Sequence, residues 1–117
     1  MEIGKDAFRQ VLGTYATGVS IVMTKSRGAI HGLTVNSFTS VSLDPPLVLV
    51  CIDRNTETYP LLKESNVFSV NILSKDQEPL SRLFSDPHSK SSRLRNLQYR
   101  QEVTGAPIII GSLSFLD

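Results

Sequence analysis

The chain has 117 residues, 12 of them Lys or Arg and 11 Asp or Glu, and its formal net charge is +1. This length suits a single domain over residues 1–117. The content of 40% hydrophobic and 20% charged residues is typical of a globular protein. The near-zero net charge argues against a nucleic-acid partner, and no apolar stretch reaches the ~20 residues that a membrane helix requires.

Cysteine and histidine are too sparse to build a site. Cys51 is alone, and the two histidines, His31 and His88, lie far apart. We therefore expect no disulfide and no metal site. The N-terminus carries early acidic residues and no apolar signal segment, so we expect a cytoplasmic protein without a membrane association.

The first third of the chain predicts a helix followed by a β-hairpin. Apolar residues recur at steps of three and four over residues 3–15, which indicates an amphipathic helix. A β-branched strand follows from Val19. The sequence SRG at 26–28 predicts a hairpin turn, because Gly28 can adopt positive φ, and residues 29–37 form the returning strand.

The middle of the chain contains a polar strand and then an apolar one. Residues 37–43 predict another strand, which Asp44-Pro45-Pro46 ends because proline donates no backbone hydrogen bond. Residues 47–52, LVLVCI, are continuously apolar and predict a strand that is buried on both faces. Cys51 within it is interpreted as a buried small hydrophobic residue.

The remainder predicts short elements that alternate between helix and strand. Asn55 or Thr56 is suited to cap the next helix, and Ser74 and Gln77 have the spacing of a capping box. Leu80, Leu83 and Phe84 form the apolar face of the later helix. The predicted elements are a helix over 57–65, a strand over 67–73, a helix over 74–85, a polar loop over 86–96, and strands near 98–103 and 111–117.

So many short strands with few helices indicate a closed or partly closed β-barrel. The stretch GSLSFLD at 111–117 resembles the start of a strand. A barrel that ended there would expose unpaired backbone groups. We therefore expect either that another chain covers this edge or that the domain is longer.

The polar strand over residues 34–43 has no clean apolar face, because Ser, Thr and Asn side chains occupy both sides. One interpretation is an exposed sheet face. The other is a ligand rich in hydrogen-bond acceptors, since hydroxyls and backbone N–H groups of a bent strand can hold a phosphate, and Asn36 can pair with a heteroaromatic ring.

Two further segments each allow both a structural and a ligand-binding interpretation. The cluster over 53–58 is explained either by helix capping with a surface ion pair, or by an anion held at a strand end and a helix N-terminus. Arg82 and Phe84 are either a surface charge and a core aromatic, or residues that close over a cofactor. No Ser/His/Asp or Cys/His constellation is present, so we expect no catalytic side chain.

Several stretches, in order along the chain, closely resemble the flavin reductase-like family. They are TGV at 17–19, the continuous stretch from TVNSFTSVSLDPPL to NVFSVNIL at 34–73, LSRLFS at 80–85 and GAPIIIGSL at 105–113. The resemblance implies a mainly β, FMN-binding split β-barrel with a few short helices, which forms a homodimer. It implies an NAD(P)H:flavin oxidoreductase that binds FMN or FAD and supplies reduced flavin to a partner monooxygenase.

The family continues past the GSL strand with closing strands and a Gly-Asp-His stretch associated with nicotinamide binding, and this chain contains neither. We therefore expect a domain that lacks its C-terminal strands. Two alternatives stay open beside the reductase. One is an FMN-binding or electron-transfer protein without nicotinamide chemistry, and the other is a shortened domain without activity.

By motif position, the resemblance also implies the cofactor-binding residues. Residues 34–37 would line the flavin ring and ribityl chain, Thr39 and Ser40 its phosphate end, and the others would contact the flavin from the end of the apolar strand and from two helices. The implied residues are Thr34, Val35, Asn36, Ser37, Thr39, Ser40, Cys51, Ile52, Asp53, Thr58, Tyr59 and Phe84.

Overall fold

The computed structural model describes residues 2–117, and strands and helices contribute almost equally to it. Strands account for 31% of the chain and helices for 29%, so the fold is mixed α/β and the predicted mainly β class is confirmed only in part. The elements are α1 (Lys5–Gly13), β1 (Ser20–Ser26), β2 (Ala29–Val35), β3 (Thr39–Leu43), β4 (Pro46–Leu49), α2 (Thr58–Ser65), β5 (Ser69–Ile72), a 3₁₀ turn (Lys75–Gln77), α3 (Glu78–Ser85), a second 3₁₀ turn (Pro87–Ser92), β6 (Tyr99–Gln101), β7 (Pro107–Ile109) and β8 (Ser114–Leu116).

One antiparallel sheet of four strands, in the order β2-β1-β5-β8, is the centre of the molecule. β3 pairs with β4, and β6 with β7, as separate two-stranded ribbons. The predicted turn between β1 and β2 is confirmed, because Arg27 and Gly28 have φ values of 50° and 82°. Two consecutive residues with positive φ match the right-handed twist of a tight hairpin.

The central sheet is buried on both faces. Ile21 and Met23 of β1 pack with Phe84 of α3 in one cluster, while Val22 between them packs with Val70 in another. Successive side chains of a strand point to opposite faces, so β1 contributes to both clusters. Leu80 and Leu83 pack against the first cluster, which confirms the predicted apolar face of α3.

Asn71 in β5 is a fully buried polar residue that joins three strands. Its Nδ2 donates to the Ile21 carbonyl oxygen at 3.0 Å, and its Oδ1 accepts from the Ile109 amide at 2.8 Å. A buried amide that lacked such partners would be destabilising. The side chain therefore ties β7 to the central sheet.

The predicted buried strand over 47–52 is wrong in extent and in burial. The strand is β4, Pro46–Leu49, and Leu47, Val48 and Leu49 are all exposed. β4 pairs only with β3, and all four of its residues are exposed. Cys51 is likewise exposed, which corrects its interpretation as a buried residue.

The N-terminal helix is confirmed, but its apolar face does not pack. α1 contains no buried residue, and Phe8, Val11 and Leu12 are exposed. The amphipathic pattern correctly predicts the helix, yet the part of the chain that the structure describes provides no surface to receive it. None of the helices in residues 2–117 has the length and apolar character that crossing a bilayer requires.

The start of α2 differs from the prediction. Its N-cap is Glu57, without a side-chain cap, whereas Asn55 or Thr56 was expected. The Thr56 hydroxyl instead donates to the Asp53 carbonyl oxygen at 2.8 Å, because the chain makes a turn before the helix. In the predicted capping box, the Ser74 amide does donate to Gln77 Oε1 at 2.9 Å.

The C-terminal third contains both predicted strands, as β6 and β8, and adds β7 within the GAPIII stretch. β8 lies beside β5, with Val70 opposite Leu116. The predicted loop over 86–96 contains a 3₁₀ turn at Pro87–Ser92. Nothing in the described residues supports the expected loss of C-terminal strands.

Candidate functional site

A cleft of about 380 Å³ opens beside the edge strand β2. Its walls come from four separate segments: residues 30–34 of β2, residues 55–58 at the start of α2, the end of α3 at Phe84 and Ser85, and the turn and loop over 87–94. Volumes of this size are typical of small-molecule sites. The cleft is therefore the candidate functional site.

Three of the residues that the resemblance implies meet in this cleft. Thr34 comes from β2, Thr58 from the first turn of α2 and Phe84 from α3. The Thr34 hydroxyl donates to the Ser81 carbonyl oxygen at 2.6 Å, which fixes β2 against α3. Thr58 and Phe84 are buried, with relative exposures of 2% and 1%. The cleft thus combines an aromatic wall with two hydroxyl side chains.

The other residues implied at the end of β2 have varied surroundings. Val35 is buried in the cluster with Val22 and Val70, so it is a core residue. Asn36 is exposed. The Ser37 hydroxyl accepts from the Cys51 amide at 3.0 Å, and this bond joins the end of β2 to the segment after β4. Thr39 and Ser40 are exposed on β3.

The implied residues between β4 and α2 lie away from Phe84. Asp53 accepts from the Asn55 amide at 2.9 Å and so shapes the turn before α2. Ile52 and Tyr59 line a different cleft, of about 460 Å³, which also contains Leu62. The structure therefore distributes the implied set over several places, and flavin contact by each of these residues stays a prediction.

Two basic residues of the cleft were missed by the sequence analysis, which treated 86–96 only as a polar loop. Arg93 donates to three backbone oxygens: Leu83 at 3.2 Å, Gly32 at 3.1 Å and Asp86 at 3.0 Å. Its Cζ lies 5.8 Å from the centre of the Phe84 ring, within the range of a cation–π contact. Arg93 thus holds the cleft wall together.

Lys90 is the second basic residue, and its Nζ lies 3.3 Å from Oε1 of Glu57. This ion pair joins the 3₁₀ turn to the start of α2, and both residues line the cleft. Both side chains are well exposed, and pairs of this kind contribute about 0–1 kcal/mol. The spacing of Lys90 and Arg93, three residues apart after Asp86-Pro87, is the sequence signal that would have indicated a basic wall.

Two charged groups of the loop have pKa values below their ordinary ones. Burial lowers the pKa of the Arg93 guanidinium, while Glu57 and Asp86 oppose that shift. The amide of His88 and the hydroxyl of Ser89 hydrogen-bond the Asp86 carboxylate and lower its pKa. Over residues 2–117, no group of three or more His, Cys, Asp or Glu side chains forms a metal-binding cluster.

Comparison with known proteins agrees with this architecture. The profile of the flavin reductase-like domain matches residues 12–117. An NADH-dependent flavin reductase of a Rhodococcus species is 40% identical over 111 residues, which are 92% of this chain and 61% of that protein. The reductase subunit of a flavin-dependent monooxygenase from Rhodococcus jostii is 34% identical over 112 residues, 94% of this chain and 55% of that subunit.

A solved structure agrees as well. The homolog of nitrilotriacetate monooxygenase component B from Mycobacterium thermoresistibile superimposes with a TM-score of 0.89 at 36% identity, over 95% of this chain and 61% of that one. The chain spans 61% and 55% of the lengths of the two Rhodococcus relatives. Because the family profile covers residues 12–117, this chain belongs to the flavin reductase-like family.

Proposed function

We propose that this chain binds FMN or FAD in the cleft beside β2 and reduces it with NAD(P)H, supplying reduced flavin to a partner oxygenase. The observation that carries the proposal is the meeting of Thr34, Thr58 and Phe84. These residues come from three segments that are far apart in the chain, and each was implied independently by its motif position.

The chemistry of the cleft suits a flavin mononucleotide. Phe84 and Leu33 offer apolar contact to a flat ring, and Thr34 and Thr58 offer hydroxyls to a ribityl chain. Lys90 and Arg93 offer positive charge to a phosphate. An aromatic wall with a few polar groups and a basic end is the composition that such a ligand requires.

The protein's contribution is to bind and orient. A bound flavin supplies the hydride chemistry with the nicotinamide, so the protein needs no acid or base of its own. Backbone N–H groups near Asn36 and Ser37 are our candidates for stabilising the negative charge that grows on the reduced ring. Arg93 keeps the Phe84 wall in place through its bonds to Leu83 and Gly32.

The names of the relatives support the donor and the partner. The Rhodococcus relative is an NADH-dependent flavin reductase, which favours NADH as donor. The Rhodococcus jostii relative is the reductase subunit of a monooxygenase, which favours an oxygenase as partner. The cytoplasmic location expected from the sequence stays a prediction.

We also propose the split β-barrel of the family and a homodimer. Exposed apolar side chains on β4 and α1, among them Leu47 and Phe8, support an association that covers them. Exposed apolar side chains that are grouped on one element are typical of an interaction site. Sedimentation of the purified chain as a monomer at micromolar concentration would contradict the dimer.

Titration of FMN and FAD, followed by the visible absorption spectrum, tests flavin binding. We expect a shifted flavin spectrum, and then oxidation of NADH in the presence of free FMN. Binding without NADH oxidation would favour the flavin-binding alternative, and an unperturbed flavin spectrum would reject both. The variant Thr58→Val should weaken binding by about two- to tenfold through one lost hydrogen bond, whereas Thr14→Val, which also removes a hydroxyl, lies on the exposed end of α1 and should not.

A further inference from the structure

The ion pair between Glu57 and Lys90 lies in the lining of the cleft. Both side chains line the cleft, and 3.3 Å separates their charged atoms. They come from two separate segments of the cleft lining, the N-cap of α2 and the 3₁₀ turn at Pro87–Ser92. Their relative exposures of 59% and 44% leave both free to change partners with solvent or with a ligand.

Glu57 is the single carboxylate among the cleft residues that the structure describes, and it faces two cations. Lys90 is its direct partner. Arg93 is held by three backbone oxygens, and its charge is also influenced by Glu57. A cleft lined by two cations, one of them paired with the single carboxylate, can accept an anion that replaces this carboxylate.

Thr58 gives an independent indication of a ligand at the same point. It follows Glu57 directly, is only 2% exposed, and lines the cleft. The side-chain hydrogen bonds within residues 2–117 include none to its hydroxyl, and the hydroxyl oxygen is not among the fully enclosed unpaired atoms. It therefore opens into the cleft, where an acceptor atom of a bound ligand can use it.

We infer that Glu57 competes with the phosphate of FMN for Lys90. Glu57 holds Lys90 in the free protein and releases it when the phosphate binds. This inference rests on the proposed flavin site. The phosphate carries about −1.5 to −2 charges and is a better partner for Lys90 than one carboxylate. Because the existing ion pair must break first, Glu57 lowers the affinity and favours release, which suits a protein that passes flavin on.

The test compares FMN with riboflavin, which has the same ring and no phosphate. For Glu57→Gln, we expect the Kd of FMN to fall by about two- to fivefold, the range that an exposed ion pair supports, with the Kd of riboflavin unchanged. For Lys90→Gln, the Kd of FMN should rise by a similar factor, again without effect on riboflavin. The control Glu64→Gln removes the same charge from the same helix, where Glu64 pairs with Arg27 outside the cleft, and should change neither Kd.

Each outcome separates the two proposals. A wild-type chain that binds FMN, combined with a Glu57→Gln variant of unchanged FMN affinity, overturns the competitor role and leaves the flavin site standing. Equal changes in the Kd of FMN and riboflavin also overturn it, because the effect would then not involve the phosphate. A wild-type chain that binds neither compound overturns the proposed flavin site and the competitor role together.

Discussion

Replacing Gly32 with alanine tests whether the packing between β1, β2 and α3 shapes the cleft. A Cβ at this position would overlap Met23 Sδ and would lie 2.9 Å from the Val22 carbonyl oxygen and 3.2 Å from Phe84 Cε1. Real Cβ atoms essentially never show contacts below 3.0 Å. Since the Val22 oxygen is backbone within β1, one strand must move.

The expected loss in the free energy of unfolding depends on how little the neighbouring side chains can move. Met23 is 0% exposed and Phe84 is 1% exposed, so neither side chain has free space to enter. Overpacking of this kind costs about 1–3 kcal/mol. The lower entropy of the unfolded alanine variant offsets about 0.4–1 kcal/mol of that cost. We therefore expect a net loss of about 1–2 kcal/mol, or a fall in Tm of about 4–10 °C.

Urea unfolding followed by circular dichroism measures this loss, and FMN titration measures its effect on the cleft. Gly18→Ala is the matched control, because an added Cβ at Gly18 meets nothing within 4 Å. The control should be neutral or slightly stabilising. If Gly32→Ala and Gly18→Ala had the same free energy of unfolding, the close packing of β2 against β1 and Phe84 would be refuted.

Three further substitutions probe the core, the implied ring site and the loop. Asn71→Leu leaves the Ile21 oxygen and the Ile109 amide without their partner, and we expect a loss of about 2–6 kcal/mol in urea unfolding, at about 1–3 kcal/mol for each unpaired buried group. Asn36→Leu should raise the Kd of FMN, because the ring heteroatoms lose their amide partner. Asp86→Asn should be less stable than wild type at pH 7. Because the folded pKa of Asp86 lies below the ordinary 3.8, its stabilisation is present above 3.8 and is lost as the pH falls through the lowered pKa, so unfolding at several pH values should show the two proteins converging in acid.

Each of these expectations has a contrary result. An Asn71→Leu variant as stable as wild type would mean that the buried amide does not join β5 to β7. An FMN affinity equal for Asn36→Leu and for the exposed control Asn96→Leu would remove Asn36 from the ring site. A difference between Asp86→Asn and wild type that stayed constant from pH 7 to pH 3 would show that the Asp86 carboxylate is not responsible for it.

Elements with strong local signals were predictable from the sequence. The SRG turn was predictable, because only a residue tolerant of positive φ fits at Gly28. The helix α3 was also predictable, because Leu80, Leu83 and Phe84 recur at helical spacing, and they pack as predicted. Burial was less predictable, since an apolar run such as that of β4 shows that a segment avoids water but not which surface covers it. The ribbon of β3 and β4 lies outside the central sheet, and this arrangement depends on tertiary packing that the local sequence does not reveal.

The residues of the cleft were also only partly predictable from the sequence. The meeting of Thr34, Thr58 and Phe84 agrees with a single site suggested by their motif positions. The role of Arg93 was not predictable, because its partner at Gly32 is 61 residues away and is a backbone oxygen without a sequence signature. Lys90 was missed for a related reason: in sequence it is one charge in a polar loop, and only the fold brings Glu57 to it.

The polar stretch over residues 34–43 resolves into parts that do different work. Its first residue, Thr34, lines the cleft and bonds α3, while Val35 belongs to the core. Ser37 binds the backbone after β4, and Ser40 is exposed on β3. The exposed sheet face therefore describes β3, while the ligand site stays a prediction for the end of the stretch that lines the cleft. Because β2 ends at Val35 and β3 begins at Thr39, the bend between the strands separates the cleft wall from the exposed ribbon.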